Sequence, residues 1–324
     1  MIDQLTADAL EKTPEDVYLA FMPYFHQAGL IRTRATLLNG GTSIVGGKLD
    51  PDSMVSYILD KNVSITMLPP PYDTLLMKIA DERQLEFPSL RFVVGGGGSG
   101  KSHAERMQTF CQRFNCRYMG VYGQTEVTGP ATIITDDDYF TRPHSCGKPM
   151  AGIGLEIWDE YKKSVPTGTV GEIVISGKSC IPHYWKNEDA SRSLYTREWL
   201  HTGDLAKVDD EGFVYFMDRK KELIKTGGEN VYPREVENVL VHHPAIADLT
   251  VFGLPDQGGW GEKVVAAAVL NEGQSLTHEQ VKEYCQGKIA GYKIPKTFKI
   301  VDALPRNHSG KILKRVLQEQ FKGE

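Results

Sequence analysis

The segment HTGDLAKVDDEGFVYFMDRKKELIKTGGENVYPREVE, residues 201–237, constrains the fold more than any other part of this chain, because its texture changes in the middle. Up to Asp218 it runs in short alternating stretches, DLAKV at 204–208 and FVYFMD at 213–218, parted by an acidic turn. That is the period-two pattern of strands. After the charged joint 218–221 and a Gly-Gly loop, Pro233 opens a helix at its first position, with Val236, Val239 and Leu240 on one face and Pro244 just beyond its end. A switch of period across a run of charges marks a domain boundary, and 324 residues are more than one typical core needs.

Each side of the joint has its own pattern. An apolar strand at 90–94 runs into the glycine loop 95–98, after which Ala104, Met107, Cys111 and Phe114 recur at helical spacing, giving a β-loop-α unit. The next strand, 117–121, ends at Tyr122, so that YGQTE lies on the loop after a strand, where α/β folds place ligands. Between 139 and 218 the strands GLEIWD (154–159) and GEIVISG (171–177) join the two already named in a small β subdomain. Past the joint, strands at 248–253 and 263–270 precede a capping-box pattern, Thr277 with Gln280, ahead of a helix at 278–289, and TFKIV at 297–301 forms a third strand. This α-β-β-α-β order predicts a separate α+β domain of about one hundred residues. Neither a repeat of fixed period nor a low-complexity tract beyond residues 95–98 interrupts the chain.

Composition narrows the class. With 40% hydrophobic and 24% charged residues the chain reads as an ordinary globular protein, and a net charge of −5 gives no general field for nucleic acid or anionic membrane. The acidic amino terminus lacks the basic and apolar regions of a secretion signal, and the longest clean apolar run, 264–270, is far short of a bilayer span. Five cysteines without CxxC pairs, Cys111 and Cys116 among them on or beside a helix, read as small hydrophobes and free thiols of a reducing compartment. The expectation is a cytoplasmic protein with no membrane span and no nucleic-acid partner.

Residues 95–102, GGGGSGKS, satisfy the phosphate-binding pattern GxxxxGK[ST] and lie between a strand and a helix. Backbone N–H groups at a helix start with a lysine would make an anion site, so the motif alone implies a P-loop NTPase. Two features oppose it: the motif lies far into the chain rather than in a first βα unit, and no apolar strand ending in aspartate supplies a magnesium partner.

Three motifs, VYGQTE at 121–126, HTGD with its sequel through Gly228, and PRNHSGK at 305–311, occur together in an order and at spacings that resemble the adenylate-forming superfamily of acyl-CoA synthetases, aryl-CoA ligases, luciferases and peptide-synthetase adenylation domains. The ending YKIPKTFKIVDALPRNHSGKILKR resembles the CoA-ligase branch. The resemblance runs from about Asp16 to Leu317 and implies ATP/AMP, Mg2+ and CoA as cofactors, with a small carboxylic acid as substrate. In it Lys311 matches the adenylation lysine that bridges carboxylate and α-phosphate, Glu126 the magnesium ligand, and Thr125 a hydroxyl that meets phosphate. Tyr122 matches the aromatic that stacks on adenine, with Gly123 beside it, and Gly96 and Gly97 fall in a glycine loop lying against adenine and acyl group. Asp204 matches the carboxylate that accepts both ribose hydroxyls, and Arg219 an arginine that approaches the ribose. Lys221 falls at the hinge about which a small domain swings between two half-reactions. Lys225, Gly227 and Gly228 match the thiolation loop that meets CoA, and His26 in PYFHQAG matches a histidine between acyl pocket and nucleotide, although a histidine beside Phe25 also suits a packed core.

Full-length members carry upstream a Ser/Thr/Gly-rich loop resembling SSGTTGxPK, and no such segment occurs here. The sequence is therefore read as the C-terminal portion of the family pattern. It is expected to hold an incomplete large αβ domain (1–218, with the β subdomain 139–218), a hinge near 219–221, and a small mobile α+β domain (222–324). The corresponding function is a truncated acyl- or aryl-CoA synthetase of doubtful autonomous activity. The alternatives are a non-catalytic nucleotide- or CoA-binding fragment, half of a split enzyme completed by an N-terminal polypeptide, and, less favoured, the P-loop NTPase. Exposed strand edges in such a chain would favour self-association.

Overall fold

The computed structural model describes residues 1–47, 50–69, 71–96, 100–256, 258–259, 261–307 and 311–322. The chain divides into two compact units, Met1–Thr202 with Ala206–Phe216, and Gly203–Leu205 with Met217–Glu324.

The first unit begins with α1 (Ile2–Ala9) and is built on a seven-stranded sheet: β1 (Val17–Ala20), β2 (Thr42–Val45), β3 (Ile65–Met67), β4 (Phe92–Gly96), β5 (Arg117–Gln124), β6 (Gly129–Thr135) and β7 (Lys148–Pro149). Its order is β2-β1-β3-β4-β5-β6-β7, with β1 to β5 mutually parallel and β6 and β7 antiparallel. Parallel neighbours require crossovers, and the helices α2 (Gln27–Leu38), α3 (Pro51–Asp60), α4 (Tyr72–Arg83) and α5 (Lys101–Phe114) supply them.

Strand alternation sorts the side chains onto two faces. Leu19, Val93 and Tyr118 pack with Met54, Ile58, Leu76, Met107, Phe110 and Phe114 from α3, α4 and α5, whereas Tyr18, Ala20, Phe92, Val94 and Met119 form a second cluster with Leu10 beyond the end of α1. Both faces are thus covered, which is why strands as short as VYLA and ITM are stable here.

At the amino ends of these strands a buried charge fastens three of them. Asp16, only 2% exposed, takes Arg91 Nη2 at 2.8 Å, Ser64 Oγ at 2.6 Å and the Thr13 amide at 2.8 Å. Asp16 precedes β1, Ser64 precedes β3 and Arg91 precedes β4, so one carboxylate sets their relative register.

A second sheet follows, from β8 (Gly154–Trp158), β9 (Gly171–Ser176), β10 (Tyr195–Thr196), β11 (Trp199–Val208) and β12 (Val214–Arg219), ordered β10-β11-β9-β8 with β12 on β11. Ile157, Ile173, Ile175, Leu200, Ala206 and Val214 pack with Val127, Ala131 and Met150 of the first sheet's region. Two short helices, α6 (Asp136–Tyr139) and α7 (Glu188–Leu194), complete this unit.

The second unit opens with a hairpin, β13 (Ile224–Thr226) and β14 (Glu229–Val231), followed by α8 (Pro233–Leu240), β15 (Ile246–Pro255), β16 (Glu262–Leu270), α9 (His278–Cys285), β17 (Thr297–Ile300) and α10 (Lys314–Gln320). Strand β16 lies centrally, antiparallel to β15 and parallel to β17. Its period-two pattern again decides the layers: Val264, Ala266 and Ala268 pack under Val236, Leu240, Val281 and Cys285 of α8 and α9, while Val265 and Ala267 turn to Leu317 and Phe321 at α10. The capping box forms as expected, with Gln280 N donating to Thr277 Oγ1 at 3.3 Å and Thr277 N to Gln280 Oε1 at 2.8 Å. Helix α9 is shorter than its sequence pattern, because Gln286 leaves the helical region at ψ 133° and Gly287 follows at φ +72°. The hairpin and α10 are additions to the sequence reading.

Gly227 and Gly228 form the two-residue turn of the β13–β14 hairpin, with φ +58° and +82°. Positive φ at both central positions is the hairpin turn that matches strand twist, and glycine adopts it without steric cost. A Cβ at Gly228 would meet nothing within 4 Å, so Gly228→Ala isolates the backbone term. It is expected to destabilise the second unit by about 1–2 kcal/mol in urea unfolding, and an unchanged midpoint would refute the turn assignment.

Candidate functional site

In the first unit, strand direction collects the candidate residues along one edge. Strands β1, β3, β4 and β5 run parallel in the order β1-β3-β4-β5, so their carboxyl ends lie together. The chain turns one way from β1 to β2 and the other from β3 onward, and the crevice at such a switch point is where open α/β sheets bind ligands. His26 follows β1, Gly96 ends β4, and Tyr122, Gly123, Thr125 and Glu126 lie at the end of β5.

His26 is exposed and is the N-cap of α2, its Nδ1 accepting the Ala28 amide at 3.1 Å. The packed-core alternative for this side chain is thereby excluded. Gly29, one turn on, is required by close approach, since a Cβ there would stand 2.5 Å from the Met22 carbonyl oxygen.

Strand β5 runs on through Gln124, past the end expected at Tyr122, and Thr125–Val127 forms a 3-10 turn. The register against β6 shifts between Tyr122 and Gly123, a bulge that re-aims the strand end. Gly123 is glycine for the same reason, because a Cβ would lie 2.0 Å from the Gly129 carbonyl oxygen. The Tyr122 ring stands 6.2 Å from that of Phe216, in the same unit.

The Gly96 carbonyl accepts the Tyr118 hydroxyl at 3.1 Å, and Tyr118 stacks on Tyr139 at 4.6 Å. Burial and the neighbouring Tyr139 push the Tyr118 phenol well up, so it stays a neutral donor. Gly97 lies outside the described residues. Of the P-loop pattern, Lys101 is largely exposed and pairs with Glu105 at 3.7 Å one helical turn on, and the Gly100 amide donates to Pro143 O at 3.0 Å. Both contacts are local, and residues 97–99 of the pattern lie outside the described residues.

Glu126 is anchored from two sides. Its Oε1 accepts the Tyr184 hydroxyl at 2.8 Å, and its backbone carbonyl accepts the Ile181 amide at 2.8 Å. Burial, then the Glu126 carboxylate, push the Tyr184 phenol up to about 12. No spacing in the sequence signals Tyr184.

The second unit gathers its own set. Asp204 is buried and pairs with Arg219, Nε to Oδ1 at 3.7 Å. Lys311 is exposed, its amide donating to Asn307 Oδ1 at 2.9 Å and its carbonyl accepting the Asn307 amide at 2.9 Å. Burial of part of its stem, then Arg219 and Lys221, hold the Lys311 ammonium below its ordinary value, while Glu222 and Asp204 act the other way. Residues far apart in sequence thus meet in one electrostatic neighbourhood, and a cation crowded by cations is relieved by an anion.

The joint is stitched into this unit. Asp218 accepts the amides of Arg219 at 2.7 Å and Arg234 at 2.9 Å, and burial raises its carboxyl. Lys314 reaches Glu237 at 3.1 Å and Glu222 at 3.3 Å; burial alone would lower it, but these acids and Asp218 raise it. Lys221 lies on the 3-10 turn Lys220–Glu222, and Lys225 N donates to Glu262 Oε2 at 2.9 Å.

Among the described residues no three His, Cys, Asp or Glu converge on a metal position. A divalent cation held by one carboxylate and by ligand phosphates needs no such cage, which is the usual situation of Mg2+. Glu126 fits that role: its Oε2 has no hydrogen-bond partner among the described residues, and the Thr125 hydroxyl is adjacent in sequence. Among the described residues no helix is long and apolar enough to cross a membrane.

The family model for the AMP-binding enzyme matches residues 1–185, and that for the AMP-binding enzyme C-terminal domain matches residues 235–311. The first covers more than half of the chain, which therefore belongs to the AMP-binding enzyme family. Among curated relatives, the 2-succinylbenzoate–CoA ligase of Bacillus cytotoxicus is 37% identical over 308 residues, covering 94% of this chain and 62% of that protein. The long-chain-fatty-acid–CoA ligase FadD13 of Mycobacterium tuberculosis is 31% identical over 315 residues, covering 97% and 61%. The structure of o-succinylbenzoate CoA synthetase (MenE) from Bacillus subtilis with the acyl-adenylate OSB-AMP superposes with TM-score 0.87 at 30% identity, covering 99% of this chain and 64% of that one. The same synthetase with ATP and magnesium ion gives 0.85 at 29%, covering 97% and 63%. The chain thus spans a little over three-fifths of the length of these relatives.

These matches correct the expectation of a C-terminal portion with an incomplete large domain, since the large-domain model is matched from residue 1 and the C-terminal model is matched as well. With it fall the readings as a truncated ligase of doubtful activity, a non-catalytic fragment, half of a split enzyme, or a P-loop NTPase. The expectation rested on one absent loop motif, whereas the family matches rest on residues spread over 1–185 and 235–311. The seven strands of the sheet and their helical crossovers lie within residues 1–149, and Phe213 joins the cluster on one face.

Proposed function

We propose that this chain carries out AMP-forming acid–thiol ligation: a carboxylate and ATP give an acyl-adenylate and pyrophosphate, and CoA then gives a thioester and AMP. In the first step a carboxylate oxygen attacks the α-phosphorus as the bond to pyrophosphate breaks. In the second a thiol, losing its proton, attacks the acyl carbon and AMP departs. What supports this reading most is the neighbourhood of Asp204, Arg219 and Lys311, an acceptor and two cations of the kind that a ribose diol and an α-phosphate need.

The residues divide by role. Lys311 stabilises charge on the carboxylate and α-phosphate during adenylation, Asp204 and Arg219 hold the ribose, and Tyr122 stacks on adenine beside Gly123. Gly96 and Gly97 line the adenine and acyl side, with His26 by the acyl group. Magnesium, when bound, neutralises phosphate charge; Glu126 would hold it, with Thr125 meeting phosphate. Lys221 is the hinge between large and small domains, near the boundary 219–221, and Lys225, Gly227 and Gly228 face the thiol in the second step. The relatives named above are CoA ligases of 2-succinylbenzoate and of long-chain fatty acids, which supports a carboxylic acid as the class of substrate.

The test is pyrophosphate release with ATP, Mg2+ and a panel of aliphatic and aromatic acids. At least one acid is expected to support release at ten-fold or more over the acid-free rate, with Glu126→Gln lowering it. Release that is independent of every acid would overturn the reading.

A further inference from the structure

We propose that Tyr184 is a positioning residue for the metal-binding carboxylate: its hydroxyl donates to Glu126 Oε1 and so turns Oε2 toward the cation. The inference rests on the assignment of Glu126 as the metal ligand and goes beyond it, naming a residue that no motif marks.

The geometry carries the argument. A carboxylate on a loop can rotate about three side-chain torsions, and a cation needs one oxygen in one place. The Tyr184 hydroxyl stands 2.8 Å from Glu126 Oε1, while the other oxygen has no hydrogen-bond partner among the described residues. Partners behind a metal ligand fix its orientation, and their loss typically costs ten- to a hundred-fold in affinity.

Tyr184 is itself held in place. Its amide donates to Ser191 Oγ at 3.0 Å, and Ser191 Oγ donates to the Asn187 carbonyl at 2.6 Å, tying the residue to the first turn of α7. The preceding segment is fastened to the YGQTE loop at two more points, Ile181 N to Glu126 O at 2.8 Å and Thr128 Oγ1 to Ser179 O at 2.8 Å. Tyr195 adds a hydrogen bond to the Ile181 carbonyl at 2.7 Å. The phenol therefore arrives on a braced scaffold.

The opposite role, a phenol that occupies the carboxylate until the cation displaces it, predicts the opposite sign on mutation. Mn2+ binding in the presence of a non-hydrolysable β,γ-methylene analogue of ATP, followed by the electron paramagnetic resonance of free Mn2+, separates the two without turnover. Tyr184→Phe removes only the hydroxyl and is expected to weaken Mn2+ binding about ten-fold. In Glu126→Gln the additional Tyr184→Phe change is expected to have no further effect. Tyr184→Leu, which also lacks the donor, should reproduce the loss, with far-UV circular dichroism and thermal midpoint showing that each variant is folded. Binding that is unchanged or tighter in folded Tyr184→Phe and Tyr184→Leu, while Glu126→Gln weakens it, overturns the role of Tyr184. Binding indifferent to Glu126→Gln overturns the metal assignment, and the role of Tyr184 with it.

Discussion

Replacing Lys311 by alanine is expected to lower acid-dependent pyrophosphate release roughly a thousand-fold. One cation about 4 Å from the reacting phosphate, at an effective dielectric near 20, is worth about 4 kcal/mol, and if that interaction is made only in the transition state it amounts to roughly three decades in rate. Lys311 is exposed, so the substitution should leave the unfolding midpoint unchanged. Arg219 and Lys221, which already crowd the ammonium, cannot substitute for it, because they do not occupy its position. Thioester formation from preformed acyl-adenylate and CoA should survive in the same variant, since the second step does not use this lysine. Acid-dependent release reduced by less than ten-fold would remove Lys311 from the reaction.

Asp16→Ala is expected to destabilise the first unit by about 3 kcal/mol, the low end of the range for a broken buried pair. The low end applies because the Arg91 side chain is 40% exposed and can be hydrated once its partner is gone. The effect depends on pH. Burial alone would raise the Asp16 carboxyl, but hydrogen bonds from Arg91, Ser64 and the Thr13 amide outweigh it, so the folded-state value lies below the ordinary one. A carboxylate depressed in this way contributes its full stability above the unfolded value, about 4, and loses it as pH falls through the folded value. The gap between wild type and Asp16→Ala in urea unfolding should therefore be widest at neutral pH and should narrow below about pH 4. A gap independent of pH would mean that the site acts by packing rather than by charge.

The sequence disclosed the second unit far better than the first, for a physical reason. In β15 and β16 each strand separates two cores, and in α9 the cap is made by side chains three residues apart, so local pattern and tertiary role coincide. Strands β1 to β3 are three or four residues long, and a run such as ITM, largely buried, carries no alternation to read. The site followed the same division. Asp204, Arg219 and Lys311 are candidates from short motifs; Arg219 pairs with Asp204 at 3.7 Å, and both act electrostatically on Lys311. Tyr184 with Glu126 is a contact across 58 residues, and Tyr118 with Gly96 one across 22, and no local spacing encodes either. An absent loop motif is a single local signal, whereas the match to the two family models draws on residues spread over 1–185 and 235–311.

Whether this chain joins an acid to a thiol through an adenylate is decided by the identity of the products in a single reaction with ATP, Mg2+, CoA and an accepted acid, followed by mass spectrometry. AMP, pyrophosphate and acyl-CoA are expected in equal amounts, with acyl-adenylate accumulating when CoA is withheld. ADP and inorganic phosphate formed without any acid, by folded protein, would contradict it.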